Sequence, residues 1–336
     1  MRFATFNVEN LDDQDVDSDR DAPFAERVKV LRPMLERLRA DVICFQEVHG
    51  QDVDDEPRQL RALETLLAGT RYQQFSLSST TLKGRRDVER FRNLVVASDP
   101  AYAVEEVFEI QNTLVNPPEY SRVTASGDQQ PMAIRWERPT LYVRLRKAAE
   151  DPIHVINIHF KSKIPTPIPG QGPTNFKWRS AGGWAEGFFV SSMKRVGAAL
   201  EVRLFIDGIF DKEPNANIIV CGDFNAEPHE VPALAIRGQT EDTGNPDLIE
   251  RVMHPVALSI AESLRFSLYH QGQKNLLDHM LVSRRMMTSF ISAEIHNDMI
   301  HDESIAFATD NKFPESDHAP MVAEFDASAN AMMPLA

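Results

Sequence analysis

The residues of this chain that could do chemistry are scattered, and each sits at the end of an apolar run. Cys221-Gly222-Asp223-Phe224-Asn225 follows Ile218-Ile219-Val220, and an apolar run bounded by glycine reads as a buried strand whose exit lies at the rim of a sheet. In an extended segment Asp223 and Asn225 leave one side of the backbone and Phe224 the other. An acceptor and a donor then stand together, as phosphoryl chemistry requires: one group to hold or deprotonate a water, another to steady a phosphate oxygen. Taken alone, Gly-Asp-Phe-Asn is equally a turn whose carboxylate serves backbone donors.

Comparable exits recur along the chain. The run from Asp41 to Val48 ends on Glu47, which by itself reads as a solvated rim carboxylate. In the strand-like segment from Ile153 to Phe160, Asn157, His159 and Lys161 share one face while Ile156, Ile158 and Phe160 share the other. A lone strand histidine is more often structural, but three polar residues on one face at a strand end point to a site. Residues 2–8 alternate as a strand and deliver Asn7. Glu137-Arg138-Pro139 separates two strands expected between Met132 and Leu145, Asp278 lies on the strand-like Leu276 to Ser283, and Ser316-Asp317-His318 introduces a last strand from Met321 to Phe325.

The elements that must position these residues are strands alternating with helices. Ala22 to Arg39 has helical spacing with Pro33 as a kink or restart, Pro57 to Ala68 reads as a second helix, and Ala185 to Phe210 as a long one. Between Ser162 and Gly183 lies a loop rich in proline and glycine with Phe176, Trp178 and Trp184 near it. A loop this long tends to be functional, and it is expected to form a lid or substrate-facing wall. An Ω-like surface loop packed on its own aromatics is the structural alternative. Lys83-Gly84-Arg85-Arg86, Arg90 and Arg92 make the most basic stretch, a solvated face or a patch that follows a phosphate backbone. Asp12 to Asp21 reads as a solvated acidic loop.

Composition sets outer bounds. The chain has 336 residues, 42% hydrophobic and 26% charged, which is the composition of a globular protein with ample core. No run long enough to span a membrane occurs and the chain enters a strand at once, so the cytoplasm is the expected location. Its two cysteines, Cys44 and Cys221, lie in apolar runs and argue for a reduced compartment rather than a disulfide framework. A net charge of −14 opposes long-range attraction to nucleic acid or anionic lipid, yet carboxylates around a divalent cation create a local positive site to which whole-chain charge is blind. The remaining histidines lack zinc-site spacing.

The ordered set of strand ends, from Phe6-Asn7 to Ser316-Asp317-His318, resembles the endonuclease/exonuclease/phosphatase superfamily. Its members share the deoxyribonuclease I-like fold and include apurinic endonucleases, sphingomyelinases and inositol polyphosphate phosphatases. The resemblance implies an α/β (α+β) fold in one domain over residues 1–336: a four-layer sandwich of two packed β-sheets flanked by helices, with a loop insertion at about 162–185. It implies Glu47 as principal ligand of Mg2+ or Mn2+, assisted by Asn7 and Asp317, an all-oxygen set suited to a hard cation. Asp223 would hold or deprotonate the attacking water, and Asn225 would donate to a phosphate oxygen. His318, oriented by Asp278, would grip the scissile phosphate, with His159 and Arg138 as further phosphate-facing groups and Asn157 and Lys161 beside them.

The activity so implied is divalent-metal-dependent hydrolysis of a phosphodiester, foremost by a nuclease acting on DNA. A small-molecule or lipid phosphoester is the second reading and a non-catalytic binding protein the third. No protein partner can be inferred. The proline- and tryptophan-rich insertion and the segment 298–315 depart from the minimal family pattern and flank site residues, so they are expected to shape the substrate pocket.

Overall fold

A computed structural model describes residues 1–13, 22–54, 56–82, 87–127, 130–172, 177–241 and 243–326. The basic run Lys83 to Arg86, most of the acidic segment, and Pro173 and Phe176 of the insertion lie outside these residues.

Twelve strands form two six-stranded sheets. In chain order they are β1 (Arg2–Leu11), β2 (Val42–Val48), β3 (Ser76–Ser79), β4 (Asn93–Ser98), β5 (Tyr102–Ile110), β6 (Thr140–Lys147), β7 (Ile153–His159), β8 (Asn217–Asp223), β9 (His254–Pro255), β10 (Asp278–Val282), β11 (Phe290–Ile295) and β12 (Met321–Phe325). The first sheet runs β11-β12-β1-β2-β4-β3 and the second β9-β10-β8-β7-β6-β5. Each has one parallel pair at its centre, β1 with β2 and β7 with β8, and antiparallel neighbours elsewhere. The two sheets therefore repeat one arrangement of strand directions, which the sequence does not betray as a repeat.

Alternation explains the layers. Phe3, Val42, Cys44 and Val96 of the first sheet face Val143, Val155, Ile219, Cys221 and Met280 of the second across one apolar core. The opposite faces are covered by helices. Ala4, Phe6, Ile43 and Val95 pack against α1 (Phe24–Leu38) and α2 (Arg61–Leu67) through Leu31, Leu35 and Leu63. Ile156, Ile158, Ile218 and Val220 pack against α3 (Ala181–Lys212) and α4 (Val231–Arg237) through Val202, Ile206 and Ile236. This is a four-layer α/β sandwich. Cys44 and Cys221 are free and buried, and they meet in the inter-sheet core: hydrogen bonding to Cys221, with burial, pushes the Cys44 thiol well up.

Several expectations are corrected locally. Residues 56–59 form a short strand paired with 51–53, and α2 begins only at Arg61; Pro57, lacking an N–H, suits such a two-stranded edge. Met132 and Ala133 make only a two-residue ladder with 119–120. Pro33 neither ends nor restarts α1 but sits on its exposed side. The helix expected from Ala185 begins at Ala181, because the Ser180 side chain accepts from the Gly183 N–H at 2.9 Å and caps it. Trp184 thus belongs to α3 rather than to the loop.

Candidate active site

The parallel pairs end together, and that is what gathers the polar residues. In the second sheet the register sets His159 of β7 beside Asp223 of β8 and Asp223 beside Asp278, the first residue of antiparallel β10. In the first sheet Asn7 of β1 lies beside Gln46 of β2, next to Glu47, while Asp317 and His318 precede β12, the antiparallel neighbour of β1. Each sheet thus contributes the carboxyl ends of two parallel strands and the start of an antiparallel one.

The two groups close on each other. Asn7 Nδ2 lies 3.3 Å from Asp223 Oδ2 and 3.5 Å from Glu47 Oε1. His159 Nε2 stands 3.4 Å from both Glu47 Oε1 and Asp223 Oδ2. Asp278 Oδ2 holds His318 Nδ1 at 2.7 Å, leaving Nε2 turned toward Asp317 Oδ1 at 3.9 Å. One oxygen or ring nitrogen on each of Asp223, Asp278 and His318 falls within a 4.8 Å cluster of buried groups.

Backbone turns aim these side chains. Glu47 has φ 62° and Asn225 φ 48°, so both strands break at the site into a conformation that Asn tolerates and Glu seldom adopts. Asn225 is therefore not the i+2 residue of an extended segment. Its backbone N–H donates to Asp223 Oδ1 at 2.8 Å and its Nδ2 donates to Asp223 Oδ2 at 2.9 Å and to Phe160 O at 3.1 Å. With both amide hydrogens engaged, it orients Asp223 rather than offering a donor to phosphate.

Two more residues expected beside the phosphate are engaged elsewhere. Asn157 is fully buried, accepts from Gln46 Nε2 at 2.7 Å and donates to Phe45 O and Val95 O at 3.0 and 3.1 Å; it ties the sheets together inside the core. Lys161 folds back on its own loop, donating to Ser162 and Ile164, and burial beside Arg138 brings its pKa down to about 8. Arg138 remains at the site edge, with Nη1 donating to Phe160 O at 2.8 Å.

Residues outside the expected set complete the site. Arg92 Nε lies 3.6 Å from Glu47 Oε2. Glu9, at φ 47° in a bulge of β1, accepts the Asp317 N–H at 3.0 Å, and the buried Arg27 guanidinium holds that bulge through Val8 O and Glu9 O. Ser316 and Ser267 fix the His318 and Asp278 backbones. Arg92 carried a sequence signal in its place in the basic stretch and Ser316 in the motif Ser316-Asp317-His318; Glu9, Arg27 and Ser267 become visible through the bulge and the loops.

Charge states follow from this packing. Burial opposes ionisation of Glu47, but Arg92, Arg138 and His318 outweigh it and hold its carboxyl below the ordinary range. Burial raises Asp223 to about 7, with Asp278 adding to the effect and His318 opposing it, and burial likewise brings Asp317 to about 7. Burial and the surrounding cations keep His159 neutral well below its usual range. For His318, burial is overcome by Asp278, Asp317 and Asp223, and its pKa stands well above the ordinary value.

The donor set fits a divalent cation. Glu47 is ionised and nearly buried, yet its recorded polar neighbours stand 3.4 to 3.6 Å away, too far for strong hydrogen bonds. Asp278 Oδ1 and Asp317 Oδ1 are buried with no hydrogen-bond partner among the described residues, which is costly for a carboxylate unless a cation or water completes it. Asn7 presents its NH2 to the carboxylates while its Oδ1 accepts from Glu9 N at 3.0 Å; ligation by Asn7 needs that amide turned over.

Comparisons with known proteins agree with this fold. A comparison of the sequence with curated proteins finds no match. Among solved structures, an endonuclease/exonuclease/phosphatase from Bacteroides vulgatus is 17% identical with a TM-score of 0.56, covering 97% of this chain and 98% of that one. A 3′ phosphatase, NExo, from Neisseria, in a variant form bound to product DNA hairpin, is 14% identical with a TM-score of 0.52, covering 97% and 99%. A mannosyl-6-phosphatase of Bacteroides thetaiotaomicron is 14% identical with a TM-score of 0.57, also covering 97% and 99%. At these identities the likeness is one of fold. The profile of the Endonuclease/Exonuclease/phosphatase family matches residues 4–318, nearly the whole chain, and this protein belongs to that family.

Proposed function

We propose that the protein is a divalent-cation-dependent phosphoester hydrolase, with a phosphodiester of nucleic acid as its leading substrate. The observation that carries the reading is the meeting of Glu47, Asp223 and the Asp278–His318 pair where two parallel strand pairs end. Glu47 and Asp317, with Asn7 once its amide is turned, would hold Mg2+ or Mn2+; bound there, the cation supplies charge neutralisation at the phosphoryl oxygens. Asp223, steadied by Asn225, takes a proton from water or holds it in line. His318, kept protonated by Asp278, donates from Nε2 to a phosphoryl oxygen. Arg92 and Arg138 add fixed positive charge at the same edge.

Arg90 and Arg92, beside the basic run, and the DNA-bound fold relative support nucleic acid as the substrate. Glu89, Glu109 and Glu137 on the adjoining groove favour a second reading, a small phosphate monoester, since carboxylates repel a continuing polyanion.

The test is hydrolysis of supercoiled plasmid, an aryl phosphodiester and an aryl phosphomonoester, each with Mg2+, Mn2+ or EDTA. Asp223→Ala and His318→Ala are each expected to lose about two to three orders of magnitude in rate while keeping the wild-type circular dichroism spectrum. Full activity in either variant removes the mechanism, and activity confined to the monoester selects the second substrate class.

A further inference from the structure

A groove of about 570 Å³ adjoins the site, and Thr81, Phe91, Arg92, Gln111, Thr113 and Arg138 are among the residues that line it. Two of its lining residues join it to the site: Arg92, which reaches Glu47, and Arg138, which reaches Phe160 O. The side made by Gln111 and Thr113 is irregular chain leaving β5, with no ladder of its own to hold it. What holds it is a carboxylate from the outer helix.

Glu201 of α3 is only 2% exposed. It accepts the backbone N–H groups of Asn112, Thr113 and Leu114 at 2.9, 2.6 and 2.8 Å and the Trp136 Nε1–H at 2.6 Å. Asn112 has φ 53°, and three successive N–H groups converging from such a turn form an anion-binding nest. Trp136 is joined to the turn a second time, because its carbonyl accepts from Asn112 Nδ2 and Gln111 Nε2. Gln111 Nε2 also donates to Glu137 O at 2.8 Å. One buried charge therefore sets the turn 111–114 and, through Trp136, the segment that presents Glu137 and Arg138 to the groove. A buried carboxylate without a cation partner among the described residues is costly unless its lone pairs are filled, and here four N–H donors fill them. Glu186, on the same helix, grips Tyr120, Val123 and Thr124 in the same manner farther from the site.

We infer that Glu201 is a positioning residue for substrate recognition, holding the wall of a groove that seats the part of the substrate beyond the reacting phosphate. This rests on the hydrolase reading above. Binding energy gathered in such a groove is lost when its wall shifts, and it is lost only for substrates that extend into it. Glu201→Gln keeps the size of the side chain but sets an NH2 against converging donors.

The experiment compares two diesters with one leaving group and one charge, the p-nitrophenyl ester of thymidine 5′-monophosphate and methyl p-nitrophenyl phosphate. Wild type is expected to prefer the nucleoside ester. Glu201→Gln is expected to raise KM for that ester about tenfold with kcat within about twofold, and to change kcat/KM for the methyl ester less than about twofold; Glu201→Asp, which keeps the charge, is expected to recover part of the loss. Equal losses on both esters, or none, overturn the inference. If Glu201→Gln does not fold, Glu201→Asp carries the same comparison, a rise in KM confined to the nucleoside ester upholding the inference and equal losses or none overturning it. Wild type inactive on both esters would instead count against the phosphodiester reading on which the inference rests, an outcome distinct from loss of selectivity.

Discussion

At the scale of single residues, the same chemical type serves different ends according to what surrounds it. Asn157 lies within β7 and Asn225 just past β8, and one ties two sheets together while the other orients a carboxylate. Asn157→Leu removes the side-chain donor to Phe45 O and Val95 O and one of the acceptors of Gln46 Nε2, which keeps Thr5 Oγ1 and Cys44 O, so a loss of about 2–4 kcal/mol is expected in urea unfolding. Activity per folded molecule should stay unchanged, and lost substrate affinity at unaltered stability would contradict the strut. His154 offers a test of sign. It is buried between the Tyr142 hydroxyl and Glu213, and burial lowers its pKa below 6.5 although Glu213 pulls the other way. The unfolded chain therefore binds the proton first, and stability is lost as pH falls below the ordinary histidine value. Melting temperatures measured from pH 8 to pH 5.5 should decline, and His154→Gln should flatten the decline.

At the scale of elements, α3 shows how a helix is read correctly in place and incompletely in purpose. Its apolar positions announce a helix, but the charged residues Glu186, Lys194, Arg195 and Glu201 are turned inward, where they grip loops, while Trp184, Phe188 and Leu200 stay exposed. Two of its glycines separate propensity from packing. A Cβ at Gly208 meets nothing within 4 Å, whereas at Gly197 it would lie 2.6 Å from Trp136, whose ring is buried and fixed by Glu201. Gly208→Ala is expected to stabilise by about 0.5–1 kcal/mol, and Gly197→Ala to destabilise by about 1–2 kcal/mol despite the better helix former. Chemical denaturation of the pair decides it; equal gains in both would mean that Trp136 yields freely.

At the scale of the whole molecule, the site exists only where the sheets meet, so a ligand bound there stabilises both. Mg2+ is expected to raise the melting temperature, by the equivalent of about 2.7 kcal/mol at a hundred times its Kd, and Glu47→Gln to abolish most of that shift. A shift that survives in Glu47→Gln would place the cation elsewhere. The sequence by itself determined the family, the strands that carry Asn7, Glu47, His159, Asp223 and Asp278, and the α/β layering, because alternation and apolar runs are local properties that backbone geometry turns into faces. Only the tertiary structure decided which polar ends remain available. The inward amide of Asn157, the turned backbone of Asn225 and the folded-back Lys161 all depend on partners between one and 112 residues distant. Glu9, Arg27 and Glu201 likewise act through bulges and loop turns, whose shape is set by long-range hydrogen bonds rather than by the pattern of the residues themselves.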